Sequence, residues 1–147
     1  MNPIADEVVT AARRWIGTPY RHQGTRRGVG CDCLGLVRGV WFEIYGAPAR
    51  EPGPYAPDWA ETGSGEPLLD AVRGHCRERT FADMRPGDLL VFRWRSRDAA
   101  KHTGILASGR SFIHAYDSAG LVVESSLAPQ WRRRIAGVFA FPGRPLA

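Results

Sequence analysis

The 147-residue chain contains no run of roughly 18 consecutive apolar residues, which excludes a membrane-spanning helix. Its N-terminus, MNPIADEVVTAARRW, places Asp6 and Glu7 where a signal peptide needs an apolar stretch, so no secretory leader is expected. Cysteine is scarce and odd in number, at three, which argues against a disulfide framework and for synthesis in a reducing compartment. Internal repeats and low-complexity segments are missing. So are a helix-turn-helix and an aromatic stacking motif, which leaves the net charge of +5 as the sole pointer to nucleic acid. That charge favours encounter with any anionic partner, the bacterial cell wall among them, without ranking them.

What is present fits one domain over residues 1–147: 44% apolar and 24% charged residues suffice for one core. Asn2-Pro3 is a helix entrance, and Ile4, Val8, Ala11, Ala12 and Trp15 then recur at helical spacing until Gly17 and Pro19. Residues 18–31 read as loop. A second helical pattern begins near Cys33, with Leu34, Val37, Val40, Trp41 and Ile44 on one stripe and Gly46 as terminator. Residues 47–65 are rich in Pro and Gly and read as an irregular excursion, in which Trp59 is placed to line a substrate groove. A short helix is expected over 67–75. After the Pro86-Gly87-Asp88 turn the pattern changes to strands over 89–94, 102–107, 110–116, 121–125 and 135–141. Helices first and antiparallel strands second imply an α+β fold.

Two features carry chemistry. Cys33 stands where a Gly-rich loop becomes a helix, facing unpaired N–H groups and the positive end of the helix dipole. That position predicts a thiol pKa below its free value of ~8.5 and an oxyanion site made by the same N–H groups. The second feature is the pair His102 and His114, twelve residues apart around Ala107-Ser108-Gly109. A three-residue hairpin loop there, with Gly109 left-handed, sets the two histidines directly opposite, Cβ atoms ~5 Å apart. His102 then serves as base to the thiol, and His114 orients it and sets its tautomer.

These residues bring the chain close to a known family. It resembles the NlpC-type cell-wall cysteine peptidases through Gly17-Thr18-Pro19-Tyr20, GCDCLGLV at 30–37, PGDLLVF at 86–92, KHTGIL at 101–106 and FIHAY at 112–116. The stretches CDCLGLVRGVW and WRRRIAGVFAFP resemble the subgroup encoded with phage tails and gene transfer agents. The resemblance implies a compact papain-like fold, with N-terminal helices packed on a C-terminal antiparallel sheet. It implies hydrolysis of a stem-peptide amide in peptidoglycan, usually between the γ-carboxyl of D-glutamate and a diamino acid, with no metal or organic cofactor. The family's nucleophile falls on Cys33, its base on His102 and its third polar residue on His114. Its Pro-Tyr tyrosine falls on Tyr20, as a donor to substrate or oxyanion, and its pre-nucleophile aspartate on Asp32, which in some members meets a substrate amine. The subgroup implies tail or baseplate partners and delivery on a phage-like particle, with action on the wall. Two departures stand near the pocket: Leu34 where most members have Ser, and Gln23-Gly24 where most have Gly-Gly.

Plainer readings stand beside these. Cys31 and Cys76 read as packed thiols, His22 and His75 as surface residues, and Asp88 as a turn residue. Arg132-Arg133-Arg134 reads as a solvated face, and Trp15, Trp41 and Trp94 as core. Three alternatives remain: a non-catalytic tail-assembly or wall-binding module, a zinc site built from Cys31, Cys33, His102 and His114, and an amidase or acyltransferase using the same triad.

Overall fold

The computed structural model describes residues 3–48 and 65–144. The excursion at 49–64, with Trp59, and the capping Asn2 lie outside the described residues. Helix α1 (Pro3–Arg14) buries Ile4, Val8, Ala11, Ala12 and, just past its end, Trp15, the stripe its spacing predicts. Helix α2 (Cys33–Tyr45) ends on Gly46 in the left-handed conformation that glycine adopts without a Cβ penalty. Its stripe is centred on Leu36, Val37, Val40 and Ile44, while Leu34 and Trp41 sit at the edge, partly exposed. A Cβ on Gly39 would stand 2.1 Å from the Trp15 ring, so the glycine is what lets α1 lie against α2.

Eight strands follow in chain order among the described residues: β1 (Thr25–Arg26), β2 (Gly30–Cys31), β3 (Arg77–Arg79), β4 (Leu89–Phe92), β5 (His102–Leu106), β6 (Ser111–Tyr116), β7 (Leu121–Ser126) and β8 (Ile135–Ala140). β1 and β2 form a two-residue ladder inside the predicted loop. The other six make one antiparallel sheet in the order β3-β8-β4-β5-β6-β7. Helix α3 (Pro67–Arg73) packs on β8, and the short α4 (Pro129–Arg132) precedes it. β3 was not foreseen: Arg77-Glu78-Arg79 has no apolar alternation, and it pairs as a sheet edge.

The sheet is buried on both faces. Leu89, Val91, Ile105 and Ile113 meet the helices, with α2 lying on β5 and β6. Leu90, Phe92, Leu106, Phe112 and Val138 form a second cluster with Trp131 on the far side. This is the expected α+β, papain-like arrangement. Cys31 lies fully buried in the first cluster and Cys76 packs against it, as the plain reading had them. Asp88 is a turn residue, 2% exposed, accepting from Arg85 N–H and paired with Arg79 at 3.1 Å.

The hairpin between β5 and β6 differs from expectation in an instructive way. Its turn is Ser108-Gly109-Arg110, one residue later than predicted, closed by Ala107 N–H donating to the Ser111 carbonyl at 2.9 Å. Neither Gly109 nor Arg110 has positive φ. Instead the Ser108 hydroxyl accepts from Arg110 N–H at 3.1 Å, which holds the turn without a left-handed residue. Moving a three-residue turn by one position shifts the register by two, so Leu106 faces Phe112 and Ile105 faces Ile113. Continued, that register sets Gly104, not His102, opposite His114. A shift of two keeps every side chain on its face.

Candidate active site

Helix α2 starts at Cys33 because Asp32 caps it. The Asp32 carboxylate accepts from Gly35 N–H at 2.7 Å and from Gln23 N–H at 2.8 Å, and its carbonyl takes Leu36 N–H at 2.9 Å. Asp32 is 3% exposed, with His22 Nδ1 3.9 Å from one oxygen. Each of its oxygens accepts one backbone N–H, and Asp32 also lines the cavity beside Cys33, so its carboxylate faces both the helix start and the space a substrate would enter. The loop before it crosses the helix at Gly35, where a Cβ would stand 1.7 Å from the Gly24 carbonyl oxygen. Gln23 has φ of 61°, alone among the described non-glycine residues in being positive.

The Cys33 thiol is partly exposed and lies 3.8 Å from the Lys101 carbonyl, while Thr103 Oγ1 donates to the Cys33 carbonyl at 2.9 Å. The nucleophile candidate thus touches the residues on either side of His102. Cys33 and His102 line one cavity of about 410 Å³, together with Tyr20, His22, Trp94 and Tyr116.

His102 and His114 meet although they are not register partners. Gly104 stands between them, and a Cβ there would lie 2.8 Å from the Phe112 ring and 3.3 Å from the His114 Cβ. The vacancy lets His102 Nε2 approach His114 Nδ1 to 2.8 Å. On its other side His114 Nε2 lies 2.8 Å from Ser125 Oγ. Phe92, Trp94, Phe112, Tyr116 and Trp131 crowd the two imidazoles, with Trp94 stacked on His102 at 5.3 Å and Tyr116 on His114 at 5.1 Å. His102 is 5% exposed and His114 0%.

That aromatic enclosure decides the charge state. Burial, and then the neighbouring His114, holds His102 well below its ordinary 6.5. Burial alone lowers His114 to about 4. Both rings are neutral at physiological pH. The thiol corrects the sequence reading. Burial first, then the Asp32 carboxylate, push Cys33 up to about 11, against the pull of the Thr103 donors and Leu34 N–H. Desolvation therefore outweighs the helix start, and the resting pair is a neutral thiol beside a neutral imidazole. Burial also raises the Tyr20 phenol, ahead of the Cys33 and Asp32 charges, so Tyr20 stays an O–H donor in the cavity.

Other residues moved relative to expectation. Trp94 is a cavity wall instead of core, while His22 is exposed as read and also stands at the cavity. Arg134 leaves the solvated run to lie over the Trp94 ring at 5.7 Å. Tyr116 and Ser125 were not anticipated; the alternation FIHAY followed by a paired strand was the available signal. His75 stays outside the cavity, edge-on to Trp41 at 5.6 Å. For the zinc alternative, no group of three or more His, Cys, Asp or Glu side chains among the described residues is arranged to hold a metal ion. The facing nitrogens of the two histidines are spent on each other. Among the described residues, no helix is long and apolar enough to cross a membrane.

Fold and site together define a papain-like α+β domain with a thiol at a helix mouth and an imidazole pair on the sheet. The NlpC/P60 family model matches residues 17–140, and the chain belongs to that family. It is 27% identical to the murein DD-endopeptidase MepS/murein LD-carboxypeptidase of Escherichia coli K12, over 82% of this chain and 54% of that protein. The chain thus spans about half the length of that relative. The crystal structure of the NlpC/p60 domain of the peptidoglycan hydrolase SagA superposes with a TM-score of 0.65 at 25% identity, covering 96% of this chain and 100% of that one. RipD from Mycobacterium tuberculosis, described as a non-catalytic NlpC/p60 domain protein adapted to peptidoglycan binding, superposes at 0.61 with 13% identity, over 95% of this chain and 98% of that one. The fold alone therefore does not carry the activity; the site has to.

Proposed function

We propose that this chain is a cysteine peptidase acting on peptidoglycan stem peptides, with Cys33 as nucleophile, His102 as general base and His114 as the residue that orients it. The observation that supports it most is the shared cavity, in which the thiol touches the neighbours of a buried imidazole whose far nitrogen is already bonded to a second one. With both groups neutral at rest, the thiol proton passes to His102 Nδ1 as sulfur attacks the amide carbonyl. The oxyanion falls toward the Cys33 and Leu34 N–H groups and the Tyr20 hydroxyl. His102 then returns the proton to the leaving amine, and water, deprotonated by the same imidazole, releases the acid from the thioester.

Family resemblance points the scissile bond to the γ-D-glutamyl–diamino acid amide, and the two subgroup-like stretches point to tail or baseplate partners and delivery to the wall on a phage-like particle. Incubation of purified peptidoglycan with the wild type should release stem-peptide fragments, whose masses name the bond. Cys33→Ala should release none; undiminished release from that variant would overturn the reading. A second reading, wall binding without catalysis, is favoured by the elevated thiol and by Leu34 at the cavity. It requires retained binding to wall material with no fragments from the wild type.

A further inference from the structure

The imidazole pair ends on a hydroxyl, and that end fixes the direction of the whole chain. A neutral imidazole carries one ring proton, so the links Ser125 Oγ–His114 Nε2 and His114 Nδ1–His102 Nε2, both 2.8 Å, have two self-consistent polarities. In one, His114 donates from Nε2 to Ser125 and accepts at Nδ1 from His102 Nε2–H. His102 Nδ1 is then a bare lone pair. In the other, the Ser125 hydroxyl donates into His114, His114 donates from Nδ1 to His102, and His102 Nδ1 carries a proton. An imidazole in the second state cannot take the thiol proton.

The two rings alone do not choose between these states. Ser125 does, because it lies on β7, the edge strand of the sheet, and is partly exposed. Its own proton has solvent to go to, which leaves the oxygen free to accept from His114. Phe112, Tyr116 and Trp131 enclose the rest of the His114 ring. The first polarity also remains valid after proton transfer, since His114 Nδ1 goes on accepting from the His102 imidazolium.

We propose that Ser125 is a positioning residue whose hydroxyl accepts the His114 Nε2 proton, sets the tautomer of both histidines, and so keeps His102 Nδ1 bare toward Cys33. The inference rests on the reading of His102 as base. Its test reads tautomers directly. Nitrogen-15 histidine spectra of the wild type should show His114 protonated at Nε2 with Nδ1 bare, and His102 protonated at Nε2. Ser125→Ala should show both tautomers at His114 and lose about tenfold in kcat on purified peptidoglycan, far less than a locked wrong tautomer costs, with KM little changed. Ser125→Thr should restore both. A wild-type His114 protonated at Nδ1 overturns the inference. So does Ser125→Ala with wild-type kcat and an unchanged single tautomer, or Ser125→Thr that stays as slow as Ser125→Ala. If the wild type releases no fragments, the peptidase reading fails while the wild-type spectrum still decides the polarity.

Discussion

Acid should destabilise this protein through His114. In the unfolded chain the imidazole titrates at its ordinary 6.5, whereas in the folded protein burial lowers it to about 4. Between those values the unfolded state binds a proton that the folded state refuses, so stability is complete above 6.5 and falls as pH drops toward 4. At about 1.4 kcal/mol per pH unit, His114 alone removes about 2 kcal/mol by pH 5 and about 3 kcal/mol by pH 4. His102, displaced in the same direction, adds to the loss. Against a typical domain stability of about 5–15 kcal/mol, this is a large fraction. His114→Gln keeps an acceptor for His102 and a donor for Ser125 but cannot titrate. Urea unfolding followed by tryptophan fluorescence at pH 7 and pH 5 should show the variant losing about 2 kcal/mol less than the wild type. Equal losses would refute the claim that an uncharged, desolvated His114 is part of the folded state.

Three further outcomes test the site's construction. The rate of Cys33 alkylation by iodoacetamide should climb with pH toward a midpoint near 11, and a plateau already reached below neutrality would show a thiolate–imidazolium pair at rest. Gly35→Ala puts a Cβ 1.7 Å from the Gly24 carbonyl, both backbone-borne, so it should cost about 3 kcal/mol in urea unfolding. Gln23→Gly relieves a left-handed non-glycine residue and should gain about 0.5–1 kcal/mol after glycine's own entropy cost, seen as a higher Tm.

The periodicity of the sequence was enough to locate both long helices and the central strands, because their burial patterns are strong and local. β3 was invisible for the opposite reason: an edge strand that packs little, spelled Arg-Glu-Arg, has no pattern to read. The β1–β2 ladder is two residues long and hidden by the glycines around it. Trp94 looked like core because an aromatic next to a strand usually is. Its place as a cavity wall depends on where β5 and Arg134 lie, which is a tertiary fact. The thiol's pKa failed on the same ground. A helix start is legible in a sequence, whereas the desolvation by tertiary neighbours that overrides it is not.

The histidine pair shows which errors a sequence argument survives. The turn lies one residue later than the spacing predicts and the register differs by two, yet the two rings meet. Parity is why: a slip of two leaves both rings on the face they were assigned, and the missing side chain at Gly104 closes the extra distance diagonally. A slip of one would have sent one imidazole to the helix side and left the other among Phe92, Phe112 and Trp131 without its imidazole partner. Replacing Gly104 with a larger residue should do comparable damage while keeping the register, by driving a Cβ into the Phe112 ring and the His114 Cβ. The function proposed here therefore depends on the face to which each strand turns its histidine and on one glycine between them, more than on the turn that joins them.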